Sequence, residues 1–125
     1  MSIQRINYPF LTPPVGPYCH AVKHNQTLYL SGLTAFGYPQ QNDSTLEQIQ
    51  CLYEQMQKIV ECEGISLQNL IKVTLYVTDL SDMQCIRQSL LDYYGDHIPA
   101  STLVPVPMLF SPDINIEMEA ILALN

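Results

Sequence analysis

At 125 residues the chain has room for one domain with a real core, 1–125, and none for a second. Its formal charge of −7, with only five Lys and Arg scattered along the chain, argues against a partner read through a phosphate backbone. No apolar run approaches the roughly 20 residues of a membrane span, and the first ten residues lack the apolar stretch of a signal peptide, so the expected setting is the cytoplasm. Charged residues make up 14%, against a usual value of about 25%. Interface cores are depleted in charge, so part of the surface is expected to be covered by other copies of the chain. The four cysteines, Cys19, Cys51, Cys62 and Cys85, form no Cys-x-x-Cys pair. They are expected to be buried small hydrophobes rather than disulfides or metal ligands.

Residues 1–17 carry Pro9, Pro13, Pro14 and Pro17 and are expected to form an irregular, extended arm. Two short strands follow, over 18–23 and 27–31, joined by a turn at His24-Asn25-Gln26. Leu28 and Leu30 share one face of the second strand, and Thr27, Tyr29 and Ser31 the other. Ser44 and Glu47 have capping-box spacing. Leu46, Ile49, Tyr53, Met56, Ile59 and Val60 then recur at helical intervals until Gly64 ends the helix. Cys51 and Met56 fall on or beside this stripe, where core packing is the expected role.

Between 70 and 78, Ile71, Val73, Leu75 and Val77 alternate with Lys72, Thr74, Tyr76 and Thr78, the pattern of a strand with one apolar face. Ser81 and Gln84 are expected to cap a second helix, which ends at Gly95. Strand, helix and strand at this spacing imply some parallel pairing. Pro105 and Pro107 remove two donors from one side of the strand that follows, so that side cannot be a normally paired interior edge. The last strand, 114–124, places Ile114, Ile116, Met118, Ala120 and Leu122 on one face. The expected architecture is α/β (α+β): a single mixed sheet of five to six strands with two helices on one face. The other face would carry Tyr29, Ser31, Lys72, Thr74, Tyr76, Ser101, Glu117 and Glu119.

Glu117 and Glu119 emerge on one side of a strand about 7 Å apart. Paired carboxylates can do acid–base work, but alternating Glu is also common on an uncovered sheet face. Tyr18 and His20 share a face if their segment is extended, where they line a cleft or pack in the interior. There is no phosphate-binding glycine pattern and no Gly-x-Ser-x-Gly elbow. Composition and periodicity lead to an oligomeric fold with one polar face, and not to a reaction.

The order and spacing of several short motifs add to this. Gly16-Pro17-Tyr18, Ser31-Gly32, Pro99-Ala100-x-x-x-Val104 and Ile116-Glu117-Met118-Glu119-Ala120 together resemble the RidA (YjgF) family of reactive-intermediate imine deaminases. The resemblance runs from about Gly16 to Ala123. It implies a chorismate-mutase-like fold, a homotrimer with the open sheet faces packed inward, and small-molecule clefts between subunits. It also implies hydrolysis of 2-imino acids to 2-keto acids and ammonia with no metal or cofactor. Tyr18, Ser31, Gly32 and Glu117 match positions that line the family's cleft, and Glu117 matches the group that positions the attacking water.

The family's substrate-clamping arginine should follow Pro99-Ala100, where this chain has Ser101. A guanidinium makes two parallel charge-assisted bonds to a carboxylate, each worth roughly 1.5–3 kcal/mol. Ser101 and Thr102 offer hydroxyls without charge, and Lys72 is the one replacement cation the pattern suggests. The resemblance is therefore compatible with a deaminase of altered substrate preference, or with a trimer that binds a small ligand and has lost the reaction.

Overall fold

The computed structural model describes residues 2–125. Six strands form one mixed sheet: β1 (Gln4–Ile6), β2 (Ala21–His24), β3 (Thr27–Leu33), β4 (Leu70–Val77), β5 (Ala100–Pro105) and β6 (Ile116–Ala123). Their spatial order is β1-β2-β3-β6-β4-β5. β4 and β5 run parallel across the crossover helix, and the other neighbours are antiparallel. Two helices, α1 (Thr45–Glu63) and α2 (Met83–Tyr94), pack on one face.

α1 forms where the apolar stripe and both end signals agree. Ser44 Oγ accepts the Glu47 N–H at its start, and Gly64, at φ 71°, closes it in the left-handed conformation. Ile49, Leu52, Tyr53, Met56, Ile59 and Val60 are buried against the inward residues of the strands. Full burial of a side chain of this size is worth about 1.5–3 kcal/mol. α2 begins differently from the expected Ser81 cap. Asp82 occupies the cap position without a side-chain bond, and the Ser81 N–H is taken by Asp79 Oδ1 at 2.9 Å.

Two register shifts change the simple alternation. Leu30 pairs with Ala120 and Leu33 with Met118, so β3 holds one residue more than β6 over this interval. That bulge at Ser31-Gly32 lets Leu30 and Leu33 both reach the core. In β4 the pairing passes from Leu70–Leu122 to Lys72–Ile121, which leaves Ile71 as the extra residue. Leu70 is consequently buried and Ile71 is 47% exposed, the reverse of the expected placement of Ile71 on the apolar face.

The 1–17 arm is also more structured than its prolines suggest. It begins with β1, and Tyr8 and Leu11 enter the core. The Tyr8 hydroxyl donates to Glu63 Oε2 at 2.7 Å, while Lys23 Nζ pairs with Glu63 Oε1 at 2.6 Å. Burial and the adjoining Glu63 push the Tyr8 phenol well above its ordinary range. The cysteines divide: Cys51 is buried, but Cys62 and Cys85 are exposed, contrary to the expectation of burial, and all four are free. Among the described residues, no helix is long and apolar enough to cross a membrane.

Candidate functional site

The β3 bulge sets the most distinctive local geometry. Glu117 alternates with the buried Ile116 and Met118, so it projects from the face that the helices leave uncovered. There its side chain lies directly over Gly32. A Cβ on Gly32 would stand 2.9 Å from Glu117 Cδ and 3.1 Å from Cγ, with Oε2 nearer still. Gly32 has no positive φ, so what requires glycine here is this close approach and not backbone conformation. Partial burial raises the Glu117 carboxyl above the usual carboxylate range, and the charge on Glu119 adds to the shift.

Glu117 and Gly32 border a cavity of about 480 Å³ that wraps the end of β3. Tyr18, His20, Ser31 and Gln55 also line it, and Phe110 stands at its wall in edge-to-face contact with Phe36, ring centroids 5.2 Å apart. Five of the residues singled out from sequence thus share one cavity: Tyr18, His20, Ser31, Gly32 and Glu117. None of the lining residues is Lys or Arg.

Hydrogen bonding narrows what each neighbour can offer. The Ser31 hydroxyl donates to the Cys19 carbonyl at 2.6 Å, and the Ser31 N–H donates to the His20 carbonyl at 3.0 Å. With both protons engaged, Ser31 presents only acceptor capacity to the cavity. The Tyr18 ring covers Gly16, and its hydroxyl accepts the Val15 N–H at 3.3 Å. His20 is 7% exposed. Its Nδ1 accepts the Tyr8 N–H at 2.9 Å, which places the ring proton on Nε2, and that nitrogen donates to the Thr12 carbonyl at 2.9 Å. Both ring nitrogens therefore serve to pin the arm across β2. The same arm brings Thr12, Pro13 and Val15 to the cavity.

Ser101 and Thr102 lie elsewhere. β5 is the sheet edge beyond β4, two strands from β6. Ser101 pairs with Val73, whose side chain is buried beneath the helices, so Ser101 shares that side and not the open face on which it was expected. Thr102 is on the open face, where it accepts a 2.7 Å hydrogen bond from Lys72 Nζ. Lys72 thus reaches Thr102 and is not among the residues lining the cavity. Glu119 accepts from the Tyr76 hydroxyl at 2.8 Å on the same open face. Val106 N–H donates to Val77 at 2.9 Å, so Pro105 and Pro107 turn their nitrogens to the free edge, as their spacing predicts.

Sequence reasoning passed over two buried glutamines of α1. Gln48 Nε2 donates to the carbonyls of Gln41, Asp43 and Asp113, and its Oε1 accepts the Asn115 N–H. It fastens the two loops that frame the start of β6. Gln55 is 5% exposed, lines the cavity, and donates from Nε2 to the Thr34 carbonyl at 2.8 Å. Their signal was present: both sit within the helical stripe of Ile49, Leu52, Met56 and Ile59, where an uncharged amide demands a partner. Among the described residues, no group of three or more His, Cys, Asp and Glu could hold a metal ion.

Residues 11–124 match the family model described as Endoribonuclease L-PSP. A RutC family protein of Pyrococcus abyssi is 33% identical over 86% of this chain and 87% of its own. The 2-iminobutanoate/2-iminopropanoate deaminase of Dermatophagoides farinae is 27% identical over the full length of both. Among solved structures, RidA from an Antarctic Psychrobacter superposes with a TM-score of 0.84, at 27% identity over 96% of this chain and 98% of that one. Matched over nearly its whole length in sequence and in fold, the chain belongs to the RidA/YjgF family and has its chorismate-mutase-like architecture.

Proposed function

We propose that the protein is a RidA-like imine or enamine deaminase with an altered substrate preference. The observation that carries this is the partly buried Glu117 carboxyl seated on Gly32 at the border of the cavity. In the reaction, water adds to the imine carbon while Glu117 accepts one of its protons. That proton is returned to nitrogen to give a carbinolamine. Glu117 then takes the proton of the new hydroxyl and passes it to nitrogen, the C–N bond breaks, and the products are a carbonyl compound and ammonia. A carboxyl held above its ordinary range suits both halves of this exchange, because it keeps and returns a proton more readily near neutral pH. Tyr18 and the backbone around Gly32 would hold the substrate against Glu117. No cofactor enters these steps.

In the assembly we propose, a homotrimer, each cavity lies at a subunit boundary. Ser101 and Thr102 on the β5 edge would then face a neighbour's ligand. Ser101 stands where the family's arginine would bind a carboxylate, so the substrate we assign is a small neutral or cationic imine. The name of the family model points to a ribonuclease, but the charge of −7 and the absence of Lys and Arg around the cavity give RNA nothing to grip. The missing arginine also favours a second function, a trimer that binds a small ligand without turning it over.

The test compares two imines generated in situ, 2-iminobutanoate and butan-2-imine, with the native protein and Ser101→Arg. The native protein should accelerate hydrolysis of butan-2-imine more than that of 2-iminobutanoate, and Ser101→Arg should reverse the order. Acceleration of neither substrate by either protein would rule out the deaminase. A solution mass of 14.2 kDa, that of one chain, would rule out the trimer.

A further inference from the structure

We propose that Gln55 is a ligand-contacting residue: its side-chain oxygen accepts an N–H from the molecule bound in the cavity, and makes this a site for amine-type nitrogen. The amide orientation is fixed by Thr34, whose carbonyl can be met only by the Gln55 Nε2. The second contact of that nitrogen, 3.4 Å from Cys51 Sγ, lies within its own helix. Oε1 is left over. Among the described residues no donor reaches it, yet no fully buried side-chain oxygen or nitrogen lacks a partner. Oε1 must therefore touch open space, and the open space that Gln55 lines is the cavity.

Two further lining residues share its acceptor character. Glu117 offers carboxylate oxygens, and Ser31 has already given away its proton. A cavity with spare acceptors and no Lys or Arg selects a ligand that brings donors: an imine N–H, a primary ammonium, or departing ammonia. The inference deepens the deaminase proposal and rests on it for the identity of the substrate. The contact with Gln55 can be tested apart from turnover.

Butan-2-amine, which cannot be hydrolysed, is the probe, with butanoate as its anionic counterpart. The native protein should bind the amine at least tenfold more tightly than butanoate. The Gln55 side-chain amide resonance of the native protein should shift on titration with the amine. Gln55→Met should weaken amine binding about tenfold or more, the scale of a hydrogen bond to a charged group. Gln55→Glu, which when protonated both donates to Thr34 and keeps an acceptor, should bind within about threefold of native at mildly acidic pH.

Equal amine affinity in native and Gln55→Met would overturn the assignment. So would an unmoved Gln55 resonance at saturating amine, the absence of amine binding, or equal losses in both variants, which would reduce Gln55 to a support for Thr34. Amine binding through Gln55 without imine hydrolysis would remove the deaminase and leave the Gln55 contact. Hydrolysis unaffected by Gln55→Met would do the reverse.

Discussion

Replacing Gly32 by alanine tests the seat of Glu117 with a single methyl group. The added carbon would lie 2.9 Å from Glu117 Cδ and 3.1 Å from Cγ, both inside ordinary van der Waals contact at 3.4–4 Å. Glu117 Oε2 would be closer still, so the carboxylate can clear the methyl only by moving roughly 1 Å, a displacement that can cost a catalytic group about a hundredfold in rate. Because Gly32 does not use positive φ, the methyl brings no backbone strain of its own. The expected result is a loss of about a hundredfold in imine hydrolysis. Overpacking should also lower stability by about 1–3 kcal/mol in urea unfolding. A double-mutant cycle isolates the contact: in a Glu117→Ala background, Gly32→Ala should cost well under 1 kcal/mol, because the crowding partner is gone. Full turnover in Gly32→Ala, or the same destabilisation in both backgrounds, would refute the idea that Gly32 is there to admit Glu117.

Three further substitutions address the Glu117 carboxyl and the hydrogen bonds that hold the arm and the loops. Glu117 has a folded-state affinity for protons above that of the unfolded chain, so its charge lowers stability progressively as pH rises from the ordinary Glu value, about 4.3, through the raised one. Glu117→Gln should therefore melt at a higher temperature than the native protein at pH 7 and lose that advantage below about pH 4; an advantage independent of pH would contradict the assigned cause. Tyr8→Phe removes the hydroxyl that donates to Glu63, whose side chain is 8% exposed, and should cost about 1.5–3 kcal/mol and speed proteolysis within the arm. Gln48→Ala strands the loop groups it joins and should cost about 2–5 kcal/mol by denaturant titration.

Much of the fold is legible in the chain because α1 carries its stripe, its serine cap and its terminal glycine in agreement, and the strands that bury Leu28, Val73, Leu75 and Met118 alternate cleanly. What escapes is what alternation cannot encode. A bulge inserts one residue without any compositional mark, so the exposure of Ile71 and the inward turn of Leu33 contradict a period of two. β1 is three residues, Gln4-Arg5-Ile6, too short to show a period, and it is held in place by contacts far along the chain. The face of Ser101 depends on the parallel register with β4, which no local pattern in β5 specifies. For the cavity, family motifs single out Tyr18, Ser31, Gly32 and Glu117. They do not reveal that the Ser31 proton is spent on Cys19, or that His20 spends both its nitrogens on the arm. Those facts belong to the tertiary hydrogen-bond network, and they take the Ser31 and His20 protons away from the cavity.

The most direct test is the rate of butan-2-imine hydrolysis by the native protein and by Glu117→Ala at neutral pH, each verified as folded by its thermal transition. Acceleration by the native protein that falls at least a hundredfold in Glu117→Ala is the predicted result. Acceleration that survives the loss of Glu117 would contradict its role in handling the water proton.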